Sequence, residues 1–425
     1  MDTNALLSHY FAKRIVDSNE YRDVLQIGDY NDIQFTDKDM LMVIDMQNDF
    51  VDRNVEGITG PEVPGVGKIG AFAVTNGKEI ISPIVDLYKK ALNKKARVVF
   101  TRDVHPCDHC SFFKSECDTE KPPAGPFPPH CVSQTVGSGL VQEIRDELIT
   151  RSAQLANAME LDTDDNKKFS VVFKGCNANV DSFGAFKYDD KDKYLSKRQF
   201  GNCDKDKPDL TGSFYAEPSD YKSGLVLKDD FDIRKLNKND VAFANGIPFE
   251  VPASTSRIFV VGLAGDYCVR DTALNLRKAY PEKEVIVIYE LTRNAFIQFL
   301  PVYKPPTEDE LKQMTKEDRE KQESLKRTLQ TTVDAVKAII TDKPLENYVF
   351  KFDNGFKSLS QAELVALTVE TLFDGSHYHF LTDIKEIFDG YKENGVKVMV
   401  NQSTIDSAKR LIESTKTPDA VEPEP

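Results

Sequence analysis

No tryptophan occurs in the 425 residues, so aromatic surface must come from 26 Phe and 15 Tyr. No apolar run is long enough to span a bilayer, so no membrane partner is expected. The amino terminus shows no basic segment followed by an apolar one, and no signal peptide is expected. Positive charge is in deficit: 55 Lys and Arg stand against 69 Asp and Glu, for a net charge of -14. With no local basic stripe to offset it, this balance argues against nucleic acid as a partner. No internal repeat is found. Cysteine is sparse, and its count of seven is odd. In a long chain without an export signal these read as reduced thiols, and a cytoplasmic or nuclear location is expected.

What is present is a run of buried-strand signals. Stretches of strand length, mostly apolar, lie at 40–44, 97–101, 170–173, 258–261, 284–289 and 396–400. Helical periodicity separates several of them, at 80–96, near 139–160, after Cys268 and at 384–394, the last closed by Gly395. Strands alternating with helices predict an α/β fold: a mostly parallel, six-stranded sheet with helices on both faces. The length exceeds what one core usually supports. The chain divides on this reading into an N-terminal arm (1–38), a main domain (39–302 and 376–410) carrying a long, polar loop insertion (187–256), a helical insertion (303–375), and a disordered tail (411–425) rich in Pro and Glu. Capping-box patterns at Thr307/Glu310 and Ser360/Glu363 predict the helices of the insertion.

Four strands end in chemistry. Asp45 closes the first, Asp103 and His105 follow the second, Lys174 the third, and Cys268 sits in a Gly-bearing turn after 258–261. In open parallel sheets ligands bind beyond the carboxyl ends of the strands, so these residues are expected at one edge. A thiol at a helix start, with a carboxylate to take its proton and a cation to steady the thiolate, is a nucleophile set. Asp45 suits the base and Lys174 the cation. Asp103 and His105, with His130 arriving from the next loop, make a carboxylate and two imidazoles suited to Zn²⁺, Fe²⁺ or Mn²⁺. His109 stands open as a fourth ligand or as the holder of an ordered water. A structural zinc site on Cys107, Cys110, Cys117 and Cys131 competes with this reading, but a second Cys-x-x-Cys pair is missing.

These stretches resemble the nicotinamidase branch of the isochorismatase-like cysteine hydrolases. The resemblance rests on 43–50 (Val-Ile-Asp-Met-Gln-Asn-Asp-Phe), 101–106 with 108–112, 128–132 (Pro-Pro-His-Cys-Val), 173–175 with 181–183, and 261–270. It implies an isochorismatase-like fold and hydrolysis of nicotinamide to nicotinate and ammonia through a thioester, feeding NAD salvage. It further implies Cys268 as nucleophile, Asp45 as base and Lys174 as cation. Asp103, His105 and His130 would hold a metal, usually zinc, that binds the pyridine nitrogen. The oxyanion hole would come from the N–H groups of Ala264 and Cys268, with a cis peptide between Leu263 and Ala264. Phe50, Phe127 and Phe183 would line the substrate. Phe127 stands where Trp is common, Phe183 where Tyr is, and Gly265 where Thr is. Alternatives are a related amide hydrolase acting on a ureido or carbamoyl substrate, and a non-catalytic binding protein on this scaffold. The oligomeric state stays open.

Overall fold

The computed structural model describes residues 15–16, 20–51, 72–112, 127–148, 169–188, 214–216, 249–295, 298–299, 307–320, 323, 348–352, 355–359, 379–380 and 384–414, apart from positions 75, 128, 134, 136, 177, 179, 180, 187 and 317. The chain divides into two compact units, one of Met1–Leu7 with Phe296–Asp383 and one of Ser8–Ala295 with Ile384–Pro425.

The larger unit is built on a sheet. Its strands are β1 (Leu25–Ile27), β2 (Asp39–Ile44), β3 (Arg97–Asp103), β4 (Phe169–Lys174), β5 (Phe214–Ala216), β6 (Arg257–Leu263), β7 (Glu284–Arg293) and, at the far end of the chain, β12 (Lys397–Val400). Their order is β1-β12-β7-β6-β2-β3-β4-β5. All neighbours are parallel except β4 and β5. The α/β class is as expected, and the six expected strands are all present. The count is corrected to seven parallel strands and one antiparallel edge strand. The additions are β1, from what reads as an arm, and β5, from the polar insertion, most of which lies outside the described residues. β2 and β4 are buried at every position, as two-sided coverage of apolar strands requires.

The helices follow the apolar spacing. In α1 (Ile81–Asn93), Ile81, Ile84, Leu87, Tyr88 and Ala91 are buried, one stripe at i, i+3 and i+4, laid against β2 and β3. α2 (Arg270–Ala279) lies against β7 and against α4 (Ile384–Asn394). At the end of α4, Gly395 takes φ +69°, and Val396 N–H returns to the Tyr391 carbonyl at 2.9 Å, so the predicted cap is found. α5 (Gln402–Ser414) follows β12 and runs into the segment expected as tail. Residues 142–148 are helical, and the rest of the helix expected there lies outside the described residues. Among the described residues no helix is long and apolar enough to cross a membrane.

The chain steps from β2 to β3 and β4 on one side, then returns to β6 on the other side of β2 and steps outward to β7 and β12. With right-handed crossovers this reversal puts α1 and α2 on opposite faces and opens a crevice beyond the carboxyl end of β2.

The smaller unit contains β8 (Gln298–Phe299) paired antiparallel with β11 (His379–Phe380), and an antiparallel hairpin of β9 (Tyr348–Phe352) and β10 (Gly355–Leu359). It also holds α3 (Glu308–Gln313), opened by the expected Thr307–Glu310 capping box. The insertion is therefore mixed rather than helical. The aromatic alternation of 348–352 is strand chemistry, and it pairs across a tight connection. Ser360 and Glu363 lie outside the described residues.

β2 and β6 meet at the crevice through a glycine. Gly262 pairs with Ile44 and takes φ +113°, where a Cβ would overlap the Ile44 carbonyl. Gly262→Ala is expected to destabilise the unit by more than about 1 kcal/mol, since strain adds to overlap. Urea unfolding of the variant checks this, and an unchanged midpoint would refute it.

Candidate active site

Each strand of the crevice delivers one group. β2 ends at Asp45, whose φ of +46° turns the chain sharply. Its N–H donates to Thr101 Oγ1 at 3.0 Å, and the Thr101 hydroxyl donates back to Asp45 Oδ1. β3 ends at Asp103, in register with Lys174 at the end of β4. After β6 comes the cis peptide between Leu263 and Ala264, as the resemblance implied. The chain then forms a wide π-helical turn, Gly265–Val269, in which the Ala264 carbonyl accepts from both Tyr267 and Val269 at 3.1 Å. Cys268 sits in that turn, immediately before α2.

Lys174 joins these ends. Its Nζ lies 2.7 Å from Asp45 Oδ2, 2.5 Å from Asp103 Oδ1 and 3.3 Å from Cys268 Sγ. All four side chains are buried. Burial alone would drive the ammonium toward neutrality, but Asp103 and Asp45 outweigh it and hold the Lys174 pKa well above the ordinary value. Burial lifts the Asp45 carboxyl to about 6 against the pull of Lys174. At Asp103 burial is outweighed by Lys174 and then by His105, and the carboxyl stays well below the usual range. Burial pushes the Cys268 thiol well up, with Lys174 pulling the other way. The arrangement therefore holds a thiol beside a carboxylate poised to receive its proton.

The second expected group is also assembled. Donor atoms of Asp103, His105 and His130 lie within 4.8 Å of one another. The two histidine loops are laced together by backbone: His105 N–H donates to the Cys131 carbonyl at 2.9 Å, and Ser133 N–H to the His105 carbonyl at 2.7 Å. His105 Nδ1 is 2.8 Å from the Gly175 carbonyl. That contact makes Nδ1 the donor and leaves Nε2, 3.6 Å from Asp103 Oδ2, to an ion. Gly175 has φ +67°, and a Cβ there would fall 2.5 Å from the His105 ring, so glycine is what lets the carbonyl approach. One carboxylate and two imidazoles in a buried, braced group fit a divalent metal. Asp45, Asp103 and Cys268 also cluster, but the Lys174 ammonium is the cation among them.

His109 stands outside the three-donor group. Its ring lies 4.1 Å from that of His105, and its Nδ1 is 2.7 Å from Ser111 Oγ. Cys107 and Cys110 are disulfide-bonded, which corrects the expectation of reduced thiols and leaves neither for a structural zinc site. Cys131, Cys176 and Cys268 are free, and Cys117 lies outside the described residues.

Phe50, Phe127 and Phe183 are linked into one aromatic wall by two residues that the sequence reading missed. Phe72 packs edge-on to both Phe50 and Phe127 and stacks on His130, with centroids 5.1 Å apart and planes at 26°. Tyr267 lies 5.1 Å from Phe183 and 6.2 Å from Phe127. Gln47 was missed as well. Its Nε2 donates to the Asp103 and Ser138 carbonyls and its Oε1 accepts from Asp103 N–H, each at 2.8 Å. Gln47 and Thr101 lie inside the stretches that carry the resemblance, so their signal was present. Phe72 carried none. At Gly265 a Cβ would overlap the Asn294 side-chain oxygen, so a Thr there would require Asn294 to move.

Lys174→Met is expected to cost about 3–5 kcal/mol, because it strands two buried carboxylates. Adding Asp45→Asn should recover part of the loss. Denaturant unfolding measures both, and a variant as stable as the parent would contradict the ion pairing.

Residues 39–159 match the Isochorismatase domain family. The nicotinamidase of Saccharomyces cerevisiae (strain ATCC 204508 / S288c) is 34% identical over 133 residues, covering 28% of this chain and 55% of that protein. The chain thus matches about half the length of that relative. Among solved structures, the yeast nicotinamidase Pnc1p aligns with 60% of this chain and 88% of its own, at 22% identity and a TM-score of 0.34. The pyrazinamidase of Pyrococcus horikoshii in complex with zinc aligns with 68% and 96%, at 21% identity and a TM-score of 0.32. The domain match spans the strands that lead to Asp45 and Asp103, and over that part the chain is similar to the Isochorismatase domain family and to a relative named as a nicotinamidase.

Proposed function

We propose that this chain is a nicotinamidase, hydrolysing nicotinamide to nicotinate and ammonia and so serving NAD salvage. The observation that carries the reading is Lys174 in bonding distance of Asp45, Asp103 and Cys268, with Asp103 shared between that set and the His105–His130 pair. The name of the 34% identical relative supports it.

Asp45 takes the proton of the Cys268 thiol, and the sulfur attacks the carboxamide carbon. Lys174 steadies the thiolate before attack. The N–H groups of Ala264 and Cys268 face the oxyanion. Asp45 returns its proton to the nitrogen, the C–N bond breaks, and ammonia leaves a thioester on Cys268. Asp45 then takes a proton from water, whose oxygen attacks the thioester carbon. The C–S bond breaks, the acid is released, and the thiol regains a proton. Asp103, His105 and His130 would hold a divalent metal, zinc first with iron or manganese as alternatives, which would supply a Lewis-acidic partner for the ring nitrogen. Phe50, Phe127 and Phe183 flank the flat ring.

Purified protein should release ammonia from nicotinamide and lose that activity on chelation. Cys268→Ala should abolish turnover while leaving the unfolding midpoint near that of the parent. Benzamide, which has no ring nitrogen, should be a poor substrate, and equal kcat/KM for the two amides would overturn the nitrogen–metal contact.

The pH profile follows from Asp45. The base works as the carboxylate, and its folded pKa of about 6 is raised from 3.8. Activity should therefore be present above about 6 and fall as pH drops through that value. Stability moves the other way. A raised carboxyl pKa makes the Asp45 contribution fullest below the unfolded value and reduces it as pH rises through about 6. A kcat/KM profile flat from pH 5 to 8 would remove Asp45 from the proton path.

A further inference from the structure

Residue 49 has no part in the proton path, yet three segments of the site meet on it. Its carboxylate Oδ2 accepts from Cys131 N–H at 2.7 Å, its own N–H donates to the Gly137 carbonyl at 3.0 Å, and its carbonyl accepts from Phe72 N–H at 3.1 Å. The side chain is buried, and Cys131, which it grips, is held at φ +47° immediately after the metal ligand His130. A Cβ at Gly137 would overlap the Asp49 carboxylate, so the loop beyond His130 is shaped around that group. Phe72, fixed to the same residue by backbone, lays its ring on the His130 imidazole at 5.1 Å and 26°.

We infer that Asp49 is a positioning residue for His130: its carboxylate fixes the backbone that carries the imidazole, and Phe72, seated on its carbonyl, fixes the plane of the ring. A bond to a charged acceptor in a buried setting is stronger than a neutral one. An imidazole has two ring torsions to lose before it can serve as a ligand, and here the ring face and the backbone are held from separate directions. His105 is braced through Nδ1 by the Gly175 carbonyl. For His130 the corresponding restraint comes from the backbone bond and the stacked ring. The inference rests on Asp103, His105 and His130 being a metal site, as in the proposed function.

The test is zinc binding by the metal-free, full-length protein, measured by competition with a chromophoric chelator. Asp49→Ala should weaken zinc affinity by about 10–100-fold, the usual cost of removing an outer support of a ligand. Asp49→Asn, which keeps an acceptor oxygen, should restore most of it. Phe72→Leu keeps the burial and all three backbone bonds. It should weaken zinc binding and raise KM for nicotinamide, while kcat and the acid limb near 6 stay in place. Zinc affinity equal to the parent in Asp49→Ala overturns the inference. Should that variant fail to fold, parental zinc affinity in Phe72→Leu overturns it. A parent protein that binds no zinc would instead bring down the metal centre of the proposed function.

Discussion

The site depends on one buried ammonium. Lys174 is fully buried, and its charge is tolerable because Asp45 and Asp103 close on it at 2.7 and 2.5 Å. The dependence is mutual, since neither carboxylate has another cation at comparable range among the described residues. Removing one partner of such a group costs far more than the group gains over an apolar core. This explains why the three strand ends must coincide. β2, β3 and β4 each terminate within reach of the same nitrogen, and their register sets the distance. Asp103 is the joint between two chemistries. One oxygen faces Lys174 and the other faces His105, so the Lys174 cluster and the proposed metal donors share a carboxylate.

Much of this was legible because buried parallel strands announce themselves. Apolar runs such as 40–44 and 170–173 leave little ambiguity, and a polar residue at the end of each is conspicuous. The edge strands gave no such signal. β1 and β5 have three residues each, too few for a period, and pairing with a neighbour decides them. Hairpin β9–β10 was hidden inside a stretch read as helical from capping patterns on either side of it, although its own aromatic alternation favours a strand. In the site, individual groups could be named, but their supports could not. Thr101 and Gln47 act through bonds to residues far along the chain, and spacing in sequence does not encode them. Phe72 enters the wall from beyond a segment with no recognisable pattern.

The absence of tryptophan is met by numbers rather than by size. Where one large ring could cover a flat ligand, this chain gathers Phe50, Phe72, Phe127, Phe183 and Tyr267, mostly edge-to-face. That geometry suits the ring quadrupole and spreads the apolar area over several backbone anchors. It also makes the wall depend on more of the chain. Gly265 contributes by staying small, since Asn294 fills the space a side chain would need.

The first strand of the sheet has a consequence for assembly. Among the described residues β1 pairs only with β12, Leu25 beside Val398, roughly 370 residues apart in the chain. During synthesis β1 has no edge to join until β12 has been made. The strands around Lys174 are complete by Leu263, long before that partner exists. The crevice around Lys174 can therefore form early, from the middle of the chain outward, while β1 is the last piece to close the sheet, with its own hydrogen-bonding groups waiting in water until then.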